Sequence, residues 1–535
     1  MRIWRMALRC AAMVSCALVL SACATNPASQ PDVSNGTDGL VYATSLNSKM
    51  WKDAVQIKSV STQQIYDLRI DQRARIETMH AWIPAGDYVL ASWDGAKYPA
   101  YEPIHVVSRQ VTDLGTLIPV QVGEYKFVVL PLHEKDMAPA MATLRATYPG
   151  DLDNAAANLW SPSAMAPQLT QPGQGGGGLV MDLILAYARK LAAPPINQGL
   201  TASKSMRQFL AVAEAESPPT TQVGVADRAG DLYFGAALGE IRVRHPDGYW
   251  SAINTGVIHQ VTAVGWNGHW LVAGYDDGSI RISEDRGAHW SRDATLPSRD
   301  PVLSLEWTGQ RWLVETFDGL VTIPFENVGK DVAVYESKNA SPSDFSEIYK
   351  KRSREYTQCN VQLVGHSYYV STEHEVDRLD LNSMKWAVMK LPTFATAFYV
   401  APDHRTMTVT HAAGIFSSVW MSRDGGAHWV KTSRPTIVDL DVKYLSPRSG
   451  VAVQFQLLAN SSRLRLWRYS ASAQDWKLDE PEPPSSCVWF VDDARGVPTY
   501  CVTRGWDILA RHAGSWAIEA TAASTTPQNG VGAKT

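Results

Sequence analysis

Two eight-residue stretches decide the fold: Ser283-Glu284-Asp285-Arg286-Gly287-Ala288-His289-Trp290 and Ser422-Arg423-Asp424-Gly425-Gly426-Ala427-His428-Trp429. Both follow the pattern Ser-x-Asp-x-Gly-x-x-Trp, and both end in Gly-Ala-His-Trp. In such a stretch the Asp carboxylate accepts hydrogen bonds from turn amides, and the Gly adopts a backbone conformation that other residues avoid. The Trp adds a large ring that is stabilising only when it is buried. Each stretch therefore predicts a tight turn between two strands, followed by a buried indole.

Tryptophan recurs through the C-terminal half of the chain, at Trp250, Trp290, Trp386, Trp429, Trp476 and Trp516. Most neighbours in this series are 40 to 47 residues apart, but 96 residues separate Trp290 from Trp386. Apolar segments around residues 302–307, 311–314 and 320–323 indicate another unit within that gap. A period of about 40 residues, with four short strands in each unit, is typical of β-propeller blades.

We count seven blades, with six or eight as less favoured alternatives, in a propeller domain that spans residues 218–520. Their predicted bounds are 219–255, 256–298, 299–337, 358–394, 395–436, 437–482 and 483–520. Residues 338–357 remain as a polar insertion that contains Lys350-Lys351-Arg352-Ser353-Arg354. This basic run predicts a solvated helix face, with a contact surface as the alternative. Residues 521–535 are small and polar, which predicts a disordered tail.

The two motifs resemble the Asp-box, or BNR repeat, of sialidases, sortilin-type receptors and many exported propellers. The resemblance implies that the motif stabilises the turn between the third and fourth strands of a blade and seldom touches a ligand. It implies this structural role for Ser283, Asp285, Gly287 and Trp290, and for Ser422, Asp424, Gly426 and Trp429.

Because sialidases carry this motif, catalysis has to be considered. Similarity to that family would imply a Tyr nucleophile activated by Glu, an acid/base Asp and three Arg that grip the substrate carboxylate. Arg242 and Arg244 lie on a predicted strand, but no three-Arg pattern can be assembled, and no Arg-Ile-Pro motif precedes the first Asp-box. His374-Glu375 lacks a second His at the metalloprotease spacing, and neither Cys-x-x-Cys nor Gly-x-Ser-x-Gly occurs. We therefore predict no catalytic residues, no metal site and no cofactor.

The N-terminus has the features of an export signal. Arg2, Arg5 and Arg9 precede an apolar stretch over residues 10–20 that is too short to span a bilayer. It ends in Leu20-Ser21-Ala22-Cys23, which resembles the lipobox of bacterial lipoproteins. The resemblance implies cleavage after residue 22, acylation of Cys23 and anchoring to the lipid bilayer through the acyl chains. The alternative is an ordinary signal peptide with an incidental Cys. Residues 23–38 are polar and contain Pro, which predicts a flexible tether between the lipid and the first domain.

Two further regions precede the propeller. Residues 39–135 alternate with the two-residue period of strands, and Pro84-Ala85-Gly86-Asp87-Tyr88-Val89-Leu90 resembles a turn and strand of prealbumin-like modules. We predict a β-sandwich for this region. Residues 136–217 predict a helical, Gly-bearing connector, because apolar residues recur at helical spacing around 137–144, 152–159, 179–191 and 206–213. Ser203 is the predicted N-terminal cap of the last helix.

The cysteines fit an oxidising compartment. Two short strands predicted around Asp492-Asp493-Ala494-Arg495-Gly496 would place Cys487 opposite Cys501, and we predict a disulfide between them. The alternative is a pair of reduced core thiols. Cys359 is predicted to be an unpaired, buried residue.

The charge balance excludes one class of partner. With 49 Lys and Arg against 53 Asp and Glu, the chain has no excess of positive charge for nucleic acid. The sequence predicts a non-catalytic lipoprotein of the outer membrane that binds a protein partner in the envelope. The alternative is a glycan-binding or sialidase-like propeller. The residue after Cys23 is Ala24, where Asp would favour retention at the inner membrane in some bacteria.

Overall fold

A computed structural model describes most of the chain from Gly36 to Ala520. The described ranges are 36–45, 55–70, 78–93, 96–97, 102–123, 126–133, 138–152, 157–164, 169–170, 197–290, 292–298, 300–322, 326–358, 360–372, 374–413, 416–436, 440–458, 461–512 and 514–520. The predicted signal peptide, Cys23, the helix expected around 179–191, Cys359 and the tail 521–535 lie outside these ranges. No helix in the described ranges is long and apolar enough to cross a membrane.

The N-terminal region forms an eleven-stranded sheet that we call the N-terminal module. Its strands are β1 (Asp38–Ser45), β2 (Val55–Ser59), β3 (Ile65–Ile70), β4 (Thr78–Pro84), β5 (Gly86–Trp93), β6 (Ala96–Lys97), β7 (Ile104–Val106), β8 (Val111–Gly123), β9 (Lys126–Leu132), β10 (Ala157–Leu159) and β11 (Leu169–Thr170). The spatial order is β11-β9-β8-β1-β4-β3-β2-β5-β6, with β10 beside β8 and β7 beside β5. Most pairs are antiparallel, but β1 and β10 each run parallel to β8.

Successive side chains of β1 point to opposite faces of the sheet, and each face packs against a different apolar cluster. Val41 and Ala43 face one core that collects residues from β1 to β5 and from β7 to β9, so the sheet must fold over on itself. Leu40 and Tyr42 point to the other side, where they pack against helix α1 (Ala138–Thr147). Two further helices, α2 (Gln198–Ala202) and α3 (Met206–Glu216), follow before the next sheet begins.

The connector departs from its predicted helical character in two places. Residues around 157–159, expected to continue a helix from Leu152, form the parallel strand β10, and β11 likewise joins the N-terminal sheet. Backbone pairing with β8 therefore outweighs the helical spacing of three apolar residues. The cap of α3 is Ser205 rather than Ser203, because the Ser205 side chain accepts the amide N–H of Gln208.

The rest of the described chain forms seven four-stranded antiparallel sheets in sequence order. Sheet 1 contains β12 (Val225–Ala226), β13 (Leu232–Gly235), β14 (Glu240–Arg244) and β15 (Trp250–Asn254). Sheet 2 contains β16 (Val261–Trp266), β17 (Leu271–Tyr275), β18 (Ser279–Ser283) and β19 (Arg292–Thr295). Sheet 3 contains β20 (Val302–Trp307), β21 (Trp312–Thr322), β22 (Glu326–Ser337) and β23 (Phe345–Gln358). Sheet 4 contains β24 (Asn360–Val364), β25 (Ser367–Ser371), β26 (Glu375–Asp380) and β27 (Lys385–Lys390).

The last three sheets have the same meander. Sheet 5 contains β28 (Ala397–Val400), β29 (Met407–Ala413), β30 (Phe416–Ser422) and β31 (Val430–Lys431). Sheet 6 contains β32 (Leu440–Ser446), β33 (Ser449–Leu458), β34 (Ser461–Ser470) and β35 (Asp475–Leu478). Sheet 7 contains β36 (Cys487–Asp492), β37 (Pro498–Thr503), β38 (Ile508–His512) and β39 (Ser515–Ala520). The chain is thus mainly β, with the propeller-like sheets that the Trp repeat predicts.

Sheet 3 corrects the prediction of an inserted helix over 338–357. Residues 345–358 are β23, which pairs with β22, so the basic run Lys350–Arg354 lies on a strand. Tyr349 and Lys351 share a face that contacts sheet 4. The run could be taken for an insertion because sheet 3 has longer strands than its neighbours and no Trp at the expected position.

An aromatic residue at the start of each fourth strand joins consecutive sheets. These residues, which we call the wedge residues, are Trp250, Trp290, Phe345, Trp386, Trp429, Trp476 and Trp516. Each packs in a cluster that combines its own sheet with the sheet before it. Phe345 takes the place of Trp in sheet 3, which explains the 96-residue gap in the Trp series.

The series closes on itself between sheet 7 and sheet 1. Trp250 is 3% exposed and packs with Val491 and Tyr500 of sheet 7. At the outer edge Arg244 donates two hydrogen bonds to Glu519, of 2.8 and 2.6 Å, and the Trp250 indole donates a third of 3.0 Å. Burial raises the pKa of Glu519, but these donors outweigh it and the net shift is downward.

At the inner edge a short parallel pairing completes the ring. The amide of Asp492 donates to the carbonyl of Gln222 at 2.7 Å, and the amide of Gly224 donates to the carbonyl of Asp492 at 3.2 Å. The first and last sheets are therefore joined by backbone hydrogen bonds, by an apolar cluster and by a charged pair.

Sheet 7 also contains a disulfide between Cys487 and Cys501, with the two Cα atoms 5.8 Å apart. The predicted register of this hairpin is wrong. Cys487 pairs with Thr503, and Cys501 pairs with Phe490. The register shifts once between Cys487 and Trp489 and again between Val491 and Asp492. The bulges bring the two side chains together although their backbones are not directly opposed.

We expect removal of the wedge residue at the closure to destabilise the whole ring. Trp250→Ala should lower the free energy of unfolding by about 3–5 kcal/mol, because it empties a fully packed aromatic site. Tyr249→Ala is the matched control, since Tyr249 is 61% exposed and its removal should change that free energy by no more than about 0.5 kcal/mol. Urea unfolding of both variants measures the difference. Equal effects would show that Trp250 does not join the two sheets.

Candidate functional site

The loops of the ring lie at two opposite ends. In each antiparallel meander, the turns between first and second strands and between third and fourth strands share one end, which we call the turn face. The turns between second and third strands, and the links from one sheet to the next, lie at the other end, which we call the docking face. These two faces carry the exposed loops from which a binding site is usually built.

The N-terminal module covers one sector of the docking face. Helices α2 and α3 lie between strands β8 and β9 on one side and the loops of sheets 7, 1 and 2 on the other. Phe209 is 1% exposed in this layer, and Leu238, Ile258 and Trp506 represent the three contacting loops. The contact joins the two β regions through one apolar cluster.

Arg242 fixes the C-terminal end of α3 to sheet 1. Its side chain is buried, and its guanidinium donates to the carbonyl of Ala215 at 2.5 Å, where a cation is favoured at a helix C-terminus. Burial raises the pKa of Glu240 to about 8, a rise that the hydrogen bond from Asn254 and the charge of Arg242 partly offset. Glu216 on α3 also interacts with the charge of Arg242.

The two arginines considered as substrate ligands thus have structural partners. Arg242 holds α3, and Arg244 binds Glu519 across the closure. Both contacts are largely buried, so neither guanidinium is presented to a substrate carboxylate in a bidentate manner.

The two sequence motifs adopt the same geometry on the turn face. In the first, the Ser283 hydroxyl donates to Asp285 at 2.8 Å and accepts the amide of Gly287 at 2.7 Å. The same Asp285 oxygen accepts the amide of His289 at 2.8 Å. The backbone and ring of His289, with Ser283, hold the pKa of Asp285 at about 2.

In the second motif each distance is reproduced within about 0.1 Å. Ser422 donates to Asp424 at 2.8 Å and accepts the amide of Gly426 at 2.8 Å, and Asp424 accepts the amide of His428 at 2.9 Å. The backbone and ring of His428, with Ser422, lower the pKa of Asp424. Both motifs lie between the third and fourth strands of their sheets, in sheets 2 and 5. Their polar atoms bind the turn itself.

A buried ion pair lies on the inner strands near the turn face. Lys443 on β32 donates to Asp492 of β36 at 2.5 Å, and its ammonium lies 6.0 Å from the ring centre of Tyr399 on β28. Burial alone would lower the pKa of Lys443, but Asp492 and Asp441 raise it above its usual value. The pair therefore joins sheets 5, 6 and 7 as charged partners.

Sequence reasoning missed this pair and the Arg244–Glu519 contact. The partners are separated by 49 and 275 residues, and no local motif marks either of them. Only closure of the ring brings the residues together, so no signal in the sequence could have identified them.

A second charged network lies near the docking face, between sheets 3 and 4. Tyr349 donates to Asp377 at 2.5 Å, and Lys351 binds Asp377 at 2.6 Å and also contacts Glu375. Although burial lowers the pKa of Lys351, the two carboxylates raise it overall. The next basic residue of the strand, Arg352, has a side chain that is 78% exposed.

An aromatic cluster lies on the docking face of sheets 4 and 5. The ring of Phe394 makes edge-on contacts with His374 and His411, at 5.4 and 5.7 Å between ring centres. His411 also contacts the carbonyl of Phe394 at 2.8 Å. Together with the network around Lys351, these residues form what we call the open sector, because within the described ranges the helices α2 and α3 pack on the loops of sheets 7, 1 and 2 instead.

The N-terminal module has a surface groove of about 400 Å³ beside β10. Polar residues dominate its lining, among them Glu102, His105 and Asn158. Glu102 accepts three hydrogen bonds from Ser163 and Ala164, which lower its pKa. The aromatic residue of the lining, Trp160, is 7% exposed and offers little ring surface to a sugar.

No protein-family model matches the sequence, and no curated protein matches it. Solved structures do resemble the fold. One is YCF48 bound to D1 peptide, with 14% sequence identity and a TM-score of 0.37, over 50% of this chain and 83% of that one. Another is the crystal structure of the WD40 β-propeller domain of Doa1, with 12% identity and a TM-score of 0.36, over 55% and 90% of the two chains. Similarity at this level carries no argument about function.

We expect the hydroxyl of Ser283 to be essential for its turn. Ser283 is fully buried, and Ser283→Ala would leave the Gly287 amide without its acceptor, which should lower the free energy of unfolding by about 1–3 kcal/mol. Ser422→Ala should have an effect of the same size, because the two turns have the same geometry. Ser472→Ala is the control, in the corresponding but motif-free turn of sheet 6, where the side chain is exposed. Thermal unfolding of the three variants would contradict this account if all lost equal stability.

Proposed function

We propose that the chain is a lipid-anchored, non-catalytic scaffold that binds a protein partner at the bacterial cell envelope, with outer-membrane localisation. The observation that carries this proposal is the docking of the N-terminal module on one sector of the ring through α3. Because this contact joins the two β regions through a buried layer, loops elsewhere on the ring are held on a rigid support. Rigid display of loops is the usual basis of protein recognition.

The residues of the open sector suit a protein contact. Phe394 supplies apolar surface next to His374 and His411. Aromatic residues are enriched at protein interfaces. We therefore place the partner on the open sector of the docking face.

The proposed absence of catalysis rests on how the charged residues are used. Arg242, Arg244, Lys351 and Lys443 all bind carboxylates or carbonyls of the protein itself. Residues that are neutralised in this way contribute to folding, whereas a sialidase would present a group of Arg to its substrate. A fluorogenic sialoside that is hydrolysed by the purified chain would contradict this part of the proposal.

The partner site can be tested by photo-crosslinking in intact cells. We expect a photoreactive residue in place of His374 to give an adduct of one defined mass, because His374 is exposed in the open sector. The matched control replaces His289, whose side chain is 85% exposed on the turn face. Immunoblots should show the adduct at the first position and not at the second. No adduct at either position, or equal adducts at both, would contradict the placement of the partner.

The anchor is tested separately. Metabolic labelling with an alkyne fatty acid should label the wild-type chain and not the Cys23→Ser variant, because acylation requires the thiol of the residue at the cleavage site. The wild-type chain should sediment with outer membranes, and the variant should appear in the soluble fraction, since removing the acyl chains removes the buried CH2 groups that hold the protein. Label on the variant, or an unlabelled wild-type chain, would contradict lipidation at Cys23.

A further inference from the structure

The register of sheet 2 brings together three potential metal ligands at the docking face. Val261, at the start of β16, pairs with Tyr275, at the end of β17. The two chain segments stay close beyond this pair, because the amide of Asp276 donates to the carbonyl of Gln260 at 3.2 Å. His259 is therefore held opposite Asp276 and Asp277, although no metal-binding sequence motif links them.

Distances and burial within this group are suited to an ion. Nδ1 of His259 lies 2.9 Å from an oxygen of Asp276, and Nε2 lies 3.5 Å from an oxygen of Asp277. One donor atom from each residue lies within 4.8 Å of the other two. The side chain of Asp276 is 4% exposed, that of His259 is 20% exposed and that of Asp277 is 37% exposed. The group thus has a fixed, buried side and an open side.

We propose that His259, Asp276 and Asp277 form a binding site for a divalent transition-metal ion such as Zn2+. An imidazole with carboxylates is a donor set that such ions accept. Bonds of about 2.0–2.2 Å place two donors of a tetrahedral ion about 3.4 Å apart, which agrees with the separation of His259 Nε2 and Asp277. The buried Asp276 orients the ring through Nδ1, as carboxylates commonly do for metal-bound His. With Nε2 of His259 and Asp277 as the two protein ligands, the open side leaves two positions of a tetrahedral ion for water or for ligands from a partner.

Two other His–Asp pairs in the chain show what distinguishes this group. His289 with Asp285 and His428 with Asp424 have Nδ1–oxygen distances of 2.6 and 2.7 Å. In both pairs the His side chain is 85% exposed, whereas that of His259 is 20% exposed. Within the described ranges, neither pair has a third His, Cys, Asp or Glu close enough to share an ion with it. These pairs therefore provide internal controls.

The site would couple metal binding to the docking of the N-terminal module. Ile258, next to His259, is part of the apolar cluster that contains α2 and α3. An ion that fixes His259 against Asp276 and Asp277 would restrict the loop that carries Ile258. Bound metal should therefore stabilise the folded chain by mass action. This inference is independent of the partner proposed above.

Titration of the EDTA-stripped, detergent-purified full chain with Zn2+ tests the site. We expect one saturable equivalent by calorimetry and a rise in the thermal midpoint as Zn2+ is added. Cobalt should give the visible absorption of a tetrahedral Co2+ complex. His259→Gln should abolish all three signals, and Asp276→Asn should weaken binding about 10- to 100-fold, as expected for the group that orients a ligand.

His289→Gln is the matched control and should bind Zn2+ like the wild type. If His259→Gln lowers the thermal midpoint in EDTA, the Asp277→Asn variant is tested in place of the His259→Gln variant. Asp277 is half-exposed, so its change should remove the ion without unfolding the sheet. No saturable binding by the wild type, or binding that survives both His259→Gln and Asp277→Asn, would overturn the proposal.

Discussion

The ring depends on one repeated contact, in which an aromatic side chain at the start of a fourth strand packs against the preceding sheet. A four-stranded sheet of this size cannot bury its faces alone, so each sheet is stable only between two neighbours. The wedge residue contributes an aromatic ring to the apolar cluster at each of these junctions. At the closure, Trp250 does this for sheets 7 and 1 and also donates a hydrogen bond to Glu519. The turns that begin at Ser283 and Ser422 place Trp290 and Trp429 directly before their strands.

Much of this arrangement could be predicted from the sequence, because the wedge is a property of residue type and spacing. The mainly β, propeller-like fold followed from the Trp series. The prediction failed in sheet 3, where Phe345 replaces Trp and β23 is longer than the other outer strands. It failed again at β10, because pairing of a short segment with a distant strand leaves no local pattern. In sheet 7, bulges shifted the register around Cys487 in a way that composition does not encode.

The functional surfaces were less predictable than the fold. The motif residues Ser283, Asp285 and Gly287 form the turn expected from their spacing, and Cys487 and Cys501 form a disulfide. Cys23 lies outside the described residues, and its acylation stays a prediction. The docking layer around Phe209, the Lys443–Asp492 pair and the group around His259 depend on which loops the ring brings together. Such proximity is set by topology and register, so spacing along the chain does not reveal it.

Closure between sheets 1 and 7 is the claim on which the account rests, and native-state hydrogen exchange tests it most directly. The decisive amides are those of Gly224 and Asp492, which donate across the closure. In a closed ring both should exchange only with global unfolding, at the rate of the buried amides of β37. If they exchanged at the rate of an open loop while β37 stayed protected, sheets 1 and 7 would not be joined, and the ring described here would be wrong.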